Sequence, residues 1–103
     1  VTPYDVRETR RTPSLRVVGA AWVTYRVTVR CSSPGCASTH AASVDLSGST
    51  READRERERE DHHPRAASDA AISALAARWA YTSRGALRCP RCRTAGDVAP
   101  RAL

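Results

Sequence analysis

The 103 residues include no Lys, Asn, Gln, Phe or Met. Codons for Lys, Asn and Phe are rich in A and T, so their joint absence points to a high-GC genome. All 17 basic residues are Arg, a choice that then reflects codon usage as much as phosphate recognition. Large aromatic groups are scarce as well: Tyr4, Trp22, Tyr25, Trp79 and Tyr81 are the whole set. A single domain of this length with so few bulky apolar side chains has a thin core, and a covalent or metal staple would strengthen it.

Other absences narrow the function. No apolar run approaches the roughly 20 residues a membrane span needs, and residues 1–16 lack an apolar stretch followed by a small-residue cleavage site. No membrane partner and a cytoplasmic location are therefore expected, where thiols stay reduced and paired cysteines bind metal more often than they oxidise. A Gly-rich phosphate loop, a nucleophile elbow, H-E-x-x-H and a paired-carboxylate pattern are all missing. The chain is expected to be no enzyme and to have no small-molecule substrate.

What is present falls into segments. Residues 1–14 hold Pro3, Pro13 and three arginines with few apolar groups, and read as a flexible basic arm. From Leu15 to Cys31 the odd positions are largely apolar, while Thr24, Arg26, Thr28 and Arg30 fill even ones. This period of two predicts a half-buried strand, at least over 21–30, and puts Trp22 on its polar side. Ala42, Val44 and Leu46 repeat the alternation beyond a Pro34-Gly35 turn, completing a hairpin.

Residues 51–61 carry four arginines and six acids, leaving thirteen arginines against five acids on the rest of a chain whose net charge is +6. The run, within a charged insertion over 48–64, reads as a solvated linker or an exposed helical face, its charge spacing neither strongly favouring nor forbidding a helix. Pro64 can start a helix. After it Ile72, Leu75, Ala76 and Trp79 share one helical face, with Ser68 or His63 as N-cap and Gly85 as the stop. A short strand over 86–88 follows, and residues 94–103 are expected to fray.

The four cysteines form two close pairs, Cys31 with Cys36 and Cys89 with Cys92, separated by 52 residues. Zn²⁺ takes four N or S ligands in a tetrahedron, and a tight turn bearing two thiolates supplies half of them from a pre-bent backbone. The C-P-R-C turn is a strong signal of this kind. The C-x4-C turn is weaker, and the separation exceeds that of compact ribbons. Two disulfides, buried free thiols, or a redox pair at Cys89 and Cys92 are the competing readings; a Cys3His site using His40, His62 or His63 is another.

Over 27–36 and 68–92 the chain resembles small four-cysteine zinc-ribbon or zinc-finger-like proteins of high-GC bacteria and their phages. The resemblance implies an α+β zinc-ribbon-like domain over 15–93, a β-hairpin with an Ala-rich helix inserted between two cysteine knuckles. It also implies one structural zinc on Cys31, Cys36, Cys89 and Cys92, and no catalytic residue. Such modules are often suspected of binding nucleic acid or protein.

Arg88, Arg91 and Arg93 interleave with the second cysteine pair, and Arg26 and Arg30 lie on the outward side of the strand entering the first. They are candidates for phosphate contact. Equally, they could offset the negative charge of a zinc tetrathiolate. Nucleic acid is the leading expected partner, with the chain as an accessory or regulatory factor. A protein-interaction adaptor or small structural component is the alternative.

Overall fold

The computed structural model describes residues 4–93. Three antiparallel strands lie in sequence order, β1 (Tyr4–Pro13), β2 (Ala20–Arg30) and β3 (Thr39–Ser49). A 3-10 turn over Glu52–Asp54 leads into helix α1 (Arg55–Ala76), and a minimal hairpin of β4 (Ala80–Tyr81) and β5 (Leu87–Arg88) follows. The expected α+β class and the β2–β3 hairpin are both present, with Arg30 opposite Thr39 and Ala20 opposite Ser49.

Residues 4–13 form an edge strand and not the flexible arm expected for 1–14. Their own apolar content is too low to order them, but β2 supplies backbone partners along the whole segment. Tyr4 and Val6 need only cover the margin of the core. An Arg-rich edge also discourages pairing with other chains. A register shift between Glu8 and Arg10 marks a bulge at Thr9. The bulge changes which parity faces inward, from Tyr4, Val6 and Glu8 to Arg11 and Pro13. Residues 94–103, the expected tail, lie outside the described residues.

The alternation read back to Leu15 ends sooner than expected, because β2 starts at Ala20. In the β1–β2 turn the Ser14 hydroxyl accepts from the N–H groups of Arg16 and Val17, and Gly19 takes a positive φ of 84°. Leu15 and Val18 are fully exposed at its tip, and Val17 is largely so.

Of the two readings of the charged run, solvated linker and exposed helical face, the structure shows the helical one, while the wider stretch 48–64 is part of the regular elements and not an insertion. It comprises the end of β3, the 3-10 turn and the opening turns of α1. Helix α1 starts after Asp54, so neither Ser68 nor His63 caps it and Pro64 lies inside it. The face turned to the sheet also differs from expectation. His62, Ala66, Ala70, Ala71 and Ala74 are buried, whereas Ile72 is 63% exposed. Alanines at intervals of four let the helix backbone approach Val23, Tyr25, Val27, Val29, Val44 and Leu46 closely.

The helix ends at Ala76 and not at Gly85. Arg78 adopts φ 72°, with its N–H on the Leu75 carbonyl at 3.1 Å, while the Trp79 N–H reaches the Ala74 carbonyl at 3.0 Å. This is a Schellman cap with arginine in the left-handed position usually held by glycine. It turns Trp79 into the core, off the helix on which the sequence had placed it. Gly85, φ 81°, belongs to the β4–β5 turn.

Buried polar groups pin α1 to the sheet. His62 is 3% exposed, and its Nε2 lies 2.9 Å from the Ser47 carbonyl, which can only accept. Its Nδ1 lies 3.0 Å from the Tyr25 hydroxyl. Glu58 Oε1 accepts from the Ser49 N–H at 2.6 Å, and Oε2 lies 2.8 Å from Arg11 Nη2. Burial pushes the Glu58 carboxyl up, but the Arg11 guanidinium and the Ser49 N–H outweigh it and leave it below its usual value. The carboxylate rests directly on Gly48, where a β-carbon would overlap it.

Candidate metal centre

The two cysteine pairs, 52 residues apart in sequence, meet at the end of the sheet farthest from the β1–β2 turn. β2 delivers Cys31 into the Ser33–Cys36 turn, where Gly35 has φ 76° and the Cys36 N–H donates to the Ser33 carbonyl at 3.1 Å. The Cys31 N–H donates to the Ser38 carbonyl at 3.1 Å, folding the loop back toward β3.

The β4–β5 hairpin delivers the second pair. Its turn is closed by Thr82, whose N–H donates to the Ala86 carbonyl at 2.7 Å and whose hydroxyl accepts from the Arg84 and Ala86 N–H groups. Beyond β5, the N–H groups of Cys92 and Arg93 both donate to the Cys89 carbonyl, making the tight knuckle. The Ser32 N–H donates to the Leu87 carbonyl at 2.8 Å, and the Cys89 N–H to Cys31 Sγ at 3.3 Å, so each knuckle is bonded to the other.

The four Sγ atoms all lie within 4.8 Å of one another, and the cysteines are free thiols. A tetrahedron with metal–sulfur bonds of about 2.3 Å has sulfur–sulfur edges of roughly 3.8 Å. Cys36 and Cys89 stand at that separation, 3.8 Å, well beyond a disulfide bond of about 2.05 Å. Cys31 and Cys89 are buried, while Cys36 and Cys92 are half-buried. The cluster can hold a metal ion, and as a four-thiolate set it fits the ligand number and geometry of a closed site.

Electrostatics within the cluster favour a central cation. Burial pushes the Cys89 thiol up, but the Ser38 hydroxyl and the N–H groups of Cys92 and Arg91 outweigh it and bring it down to about 6. Cys36 is lowered as well, chiefly by the Ser38 hydroxyl and N–H. Cys92 gains from Ser33 but loses more to the sulfurs of Cys36 and Cys89, and is pushed up to about 12. Thiolates at this spacing repel one another, and a divalent ion between them removes that repulsion.

The chain matches no family model, no curated protein and no solved structure. Its site must be read from its own residues.

No histidine joins the cluster among the described residues. His40 contacts Ser73 Oγ at 2.8 Å and stacks edge-on near Trp79, while His62 and His63 flank Tyr25. The candidate arginines are only partly brought together. Arg30 shares a surface depression with Cys31, Cys36 and Ser38, and exposed Arg91 sits inside the second knuckle. Arg93 Nη1 donates to the Arg78 carbonyl at 2.8 Å, tying the knuckle to the helix cap, and Arg88 is half-buried. Arg26 lies four residues down β2, opposite Arg7. Ser33 and Ser38, which tune the thiols, were not singled out in sequence. Their position beside the first cysteine pair is the only sequence signal of that role.

Among the described residues no helix is long and apolar enough to cross a membrane.

Proposed function

We propose that this chain is a zinc-stabilised, zinc-ribbon-like module that binds nucleic acid as an accessory or regulatory factor. The observation that carries the reading is the four-cysteine cluster with Arg30 and Arg91 at its rim. Zinc supplies the structural cross-link when bound: Cys31, Cys36, Cys89 and Cys92 would hold it, and four thiolates leave no coordination position for a substrate. The module is therefore read as non-catalytic and as working in a reducing compartment. The excess of arginine outside 51–61 gives the electrostatic attraction.

The test is fluorescence anisotropy with labelled DNA and RNA across a salt series. Binding through phosphates weakens with salt, with a log–log slope of about 0.7 to 0.9 per phosphate contacted. Absent or salt-insensitive binding at low ionic strength would overturn the reading. A second reading, a protein-interaction adaptor, draws support from the fully exposed Leu15 and Val18 at the β1–β2 turn. A complex isolated by mild affinity purification that survives nuclease would favour it.

A further inference from the structure

One face of the sheet is covered by α1; among the described residues nothing covers the other. β2 turns Trp22, Thr24, Arg26, Thr28 and Arg30 outward, and Trp22 is 57% exposed. The outward residues of β3, from Thr39 to Ser47 at alternate positions, are all exposed as well. β1 adds Arg7 opposite Arg26, Arg10 opposite Thr24 and Thr12 opposite Trp22. The face therefore displays four arginines, with Asp5 and Asp45 as its only acids among the described residues.

Both acids are engaged within the face: Asp5 pairs with Arg7 at 3.1 Å, and Asp45 Oδ1 accepts from the Thr24 hydroxyl at 2.6 Å. No ion pair among the described residues engages Arg10, Arg26 or Arg30. Arg7 directly opposite Arg26 is a like-charge cross-strand pair, which costs a sheet stability unless an anion lies between the two. Trp22 forms one wall of a shallow pocket of about 380 Å³ with Arg10, Thr12, Thr24 and Asp45.

We infer that this uncovered face is a platform for single-stranded nucleic acid, with a base stacked on Trp22 and the backbone running along β2 over Arg26 and Arg30 toward the cysteine knuckles. The inference rests on the nucleic-acid reading above and names both the surface and the strandedness. Successive outward residues of a strand stand about 7 Å apart, close to the spacing of phosphates in an extended single strand. An exposed indole offers a π-face to any unstacked base, and arginines beside it neutralise the phosphates. A duplex keeps its bases in the stack and has no use for Trp22.

The experiment measures binding of a labelled oligonucleotide of about 12 nucleotides, single-stranded and as its duplex, to the zinc-loaded full chain and to its variants. The variants are Trp22→Ala, Trp22→Phe, Arg7→Ala with Arg26→Ala, and Arg91→Ala at the knuckle. Trp22 is exposed, and unchanged circular dichroism verifies that its variants fold. Single strand is expected to bind at least about tenfold tighter than duplex. Trp22→Ala should weaken it by about 5- to 100-fold and Trp22→Phe much less, while the double arginine variant should weaken it and flatten its salt dependence.

Single-strand affinity that stays within about twofold in Trp22→Ala, or equal affinity for duplex, would overturn the platform. If Arg91→Ala then abolished binding, nucleic-acid binding at the knuckles would stand without it. Absence of binding to either form would sink both.

Discussion

At one end of this molecule α1 lies on the sheet through a seam of alanines, pinned by His62 and by the Arg11–Glu58 pair. At the other end, β4 and β5 are two residues each, and the knuckles meet through two backbone-donated hydrogen bonds and four sulfurs. The first end buries most of the apolar core, Val23, Tyr25, Val27, Val44, Leu46 and the alanine seam of α1. The second buries mainly Trp79, Ala80, Leu87, Cys31 and Cys89, and an ion held by the sulfurs would add the cross-link that so small a hairpin lacks. A metal ion held by the four cysteines would organise one end of a sheet already built by strand pairing, a different situation from a zinc finger whose whole fold depends on its ion.

The largest effect should come from a ligand. Cys89→Ser is expected to lower zinc affinity by at least about a hundredfold. It should also expose the amides of Ser32, Cys92 and Arg93 to hydrogen exchange while those at the centre of β2 stay protected. Loss of protection throughout would erase the distinction between the two ends.

Next is the opposite end. Arg11→Ala leaves the Glu58 carboxylate buried without its partner and should cost about 3 to 5 kcal/mol in denaturant unfolding, without changing zinc stoichiometry. Because the Glu58 carboxyl is held below its usual value, its contribution is fully present above the unfolded carboxylate value of about 4.3. It is lost as pH falls through the lower folded value, and Glu58→Gln should remove that part of the acid dependence.

Two substitutions should stabilise the helix end. Pro64 lacks the N–H that would bond the Glu60 carbonyl, so Pro64→Ala should raise stability by up to about 3 kcal/mol. Arg78→Gly relieves a left-handed arginine and should add roughly 1 kcal/mol, seen as a higher melting temperature. The smallest effect belongs to the exposed turn: Val18→Ser should change stability by less than about 0.5 kcal/mol.

Strands β2 and β3 were legible in sequence because one side of each is buried and the other wet, which writes a period of two directly into residue choice. The cysteine quartet was legible because thiols paired at short spacing are chemically distinctive. Strand β1 was not, since its partner supplies most of what orders it and the bulge at Thr9 breaks its parity. The helix was placed but misread at both ends. Alanine reports helix propensity and close packing alike, so the Ala66–Ala70–Ala74 seam left the bulkier Ile72 and Trp79 as the apparent apolar face. Arg78 carries no sequence signal for a left-handed cap; only its backbone position reveals it.

Whether the four cysteines hold a zinc ion is decided by elemental analysis of protein purified without added metal, with circular dichroism and thiol titration before and after chelation. One zinc per chain, with four thiols becoming reactive when it is removed, is the predicted result. Protein free of metal, with its thiols oxidised to disulfides and its fold intact, would contradict it.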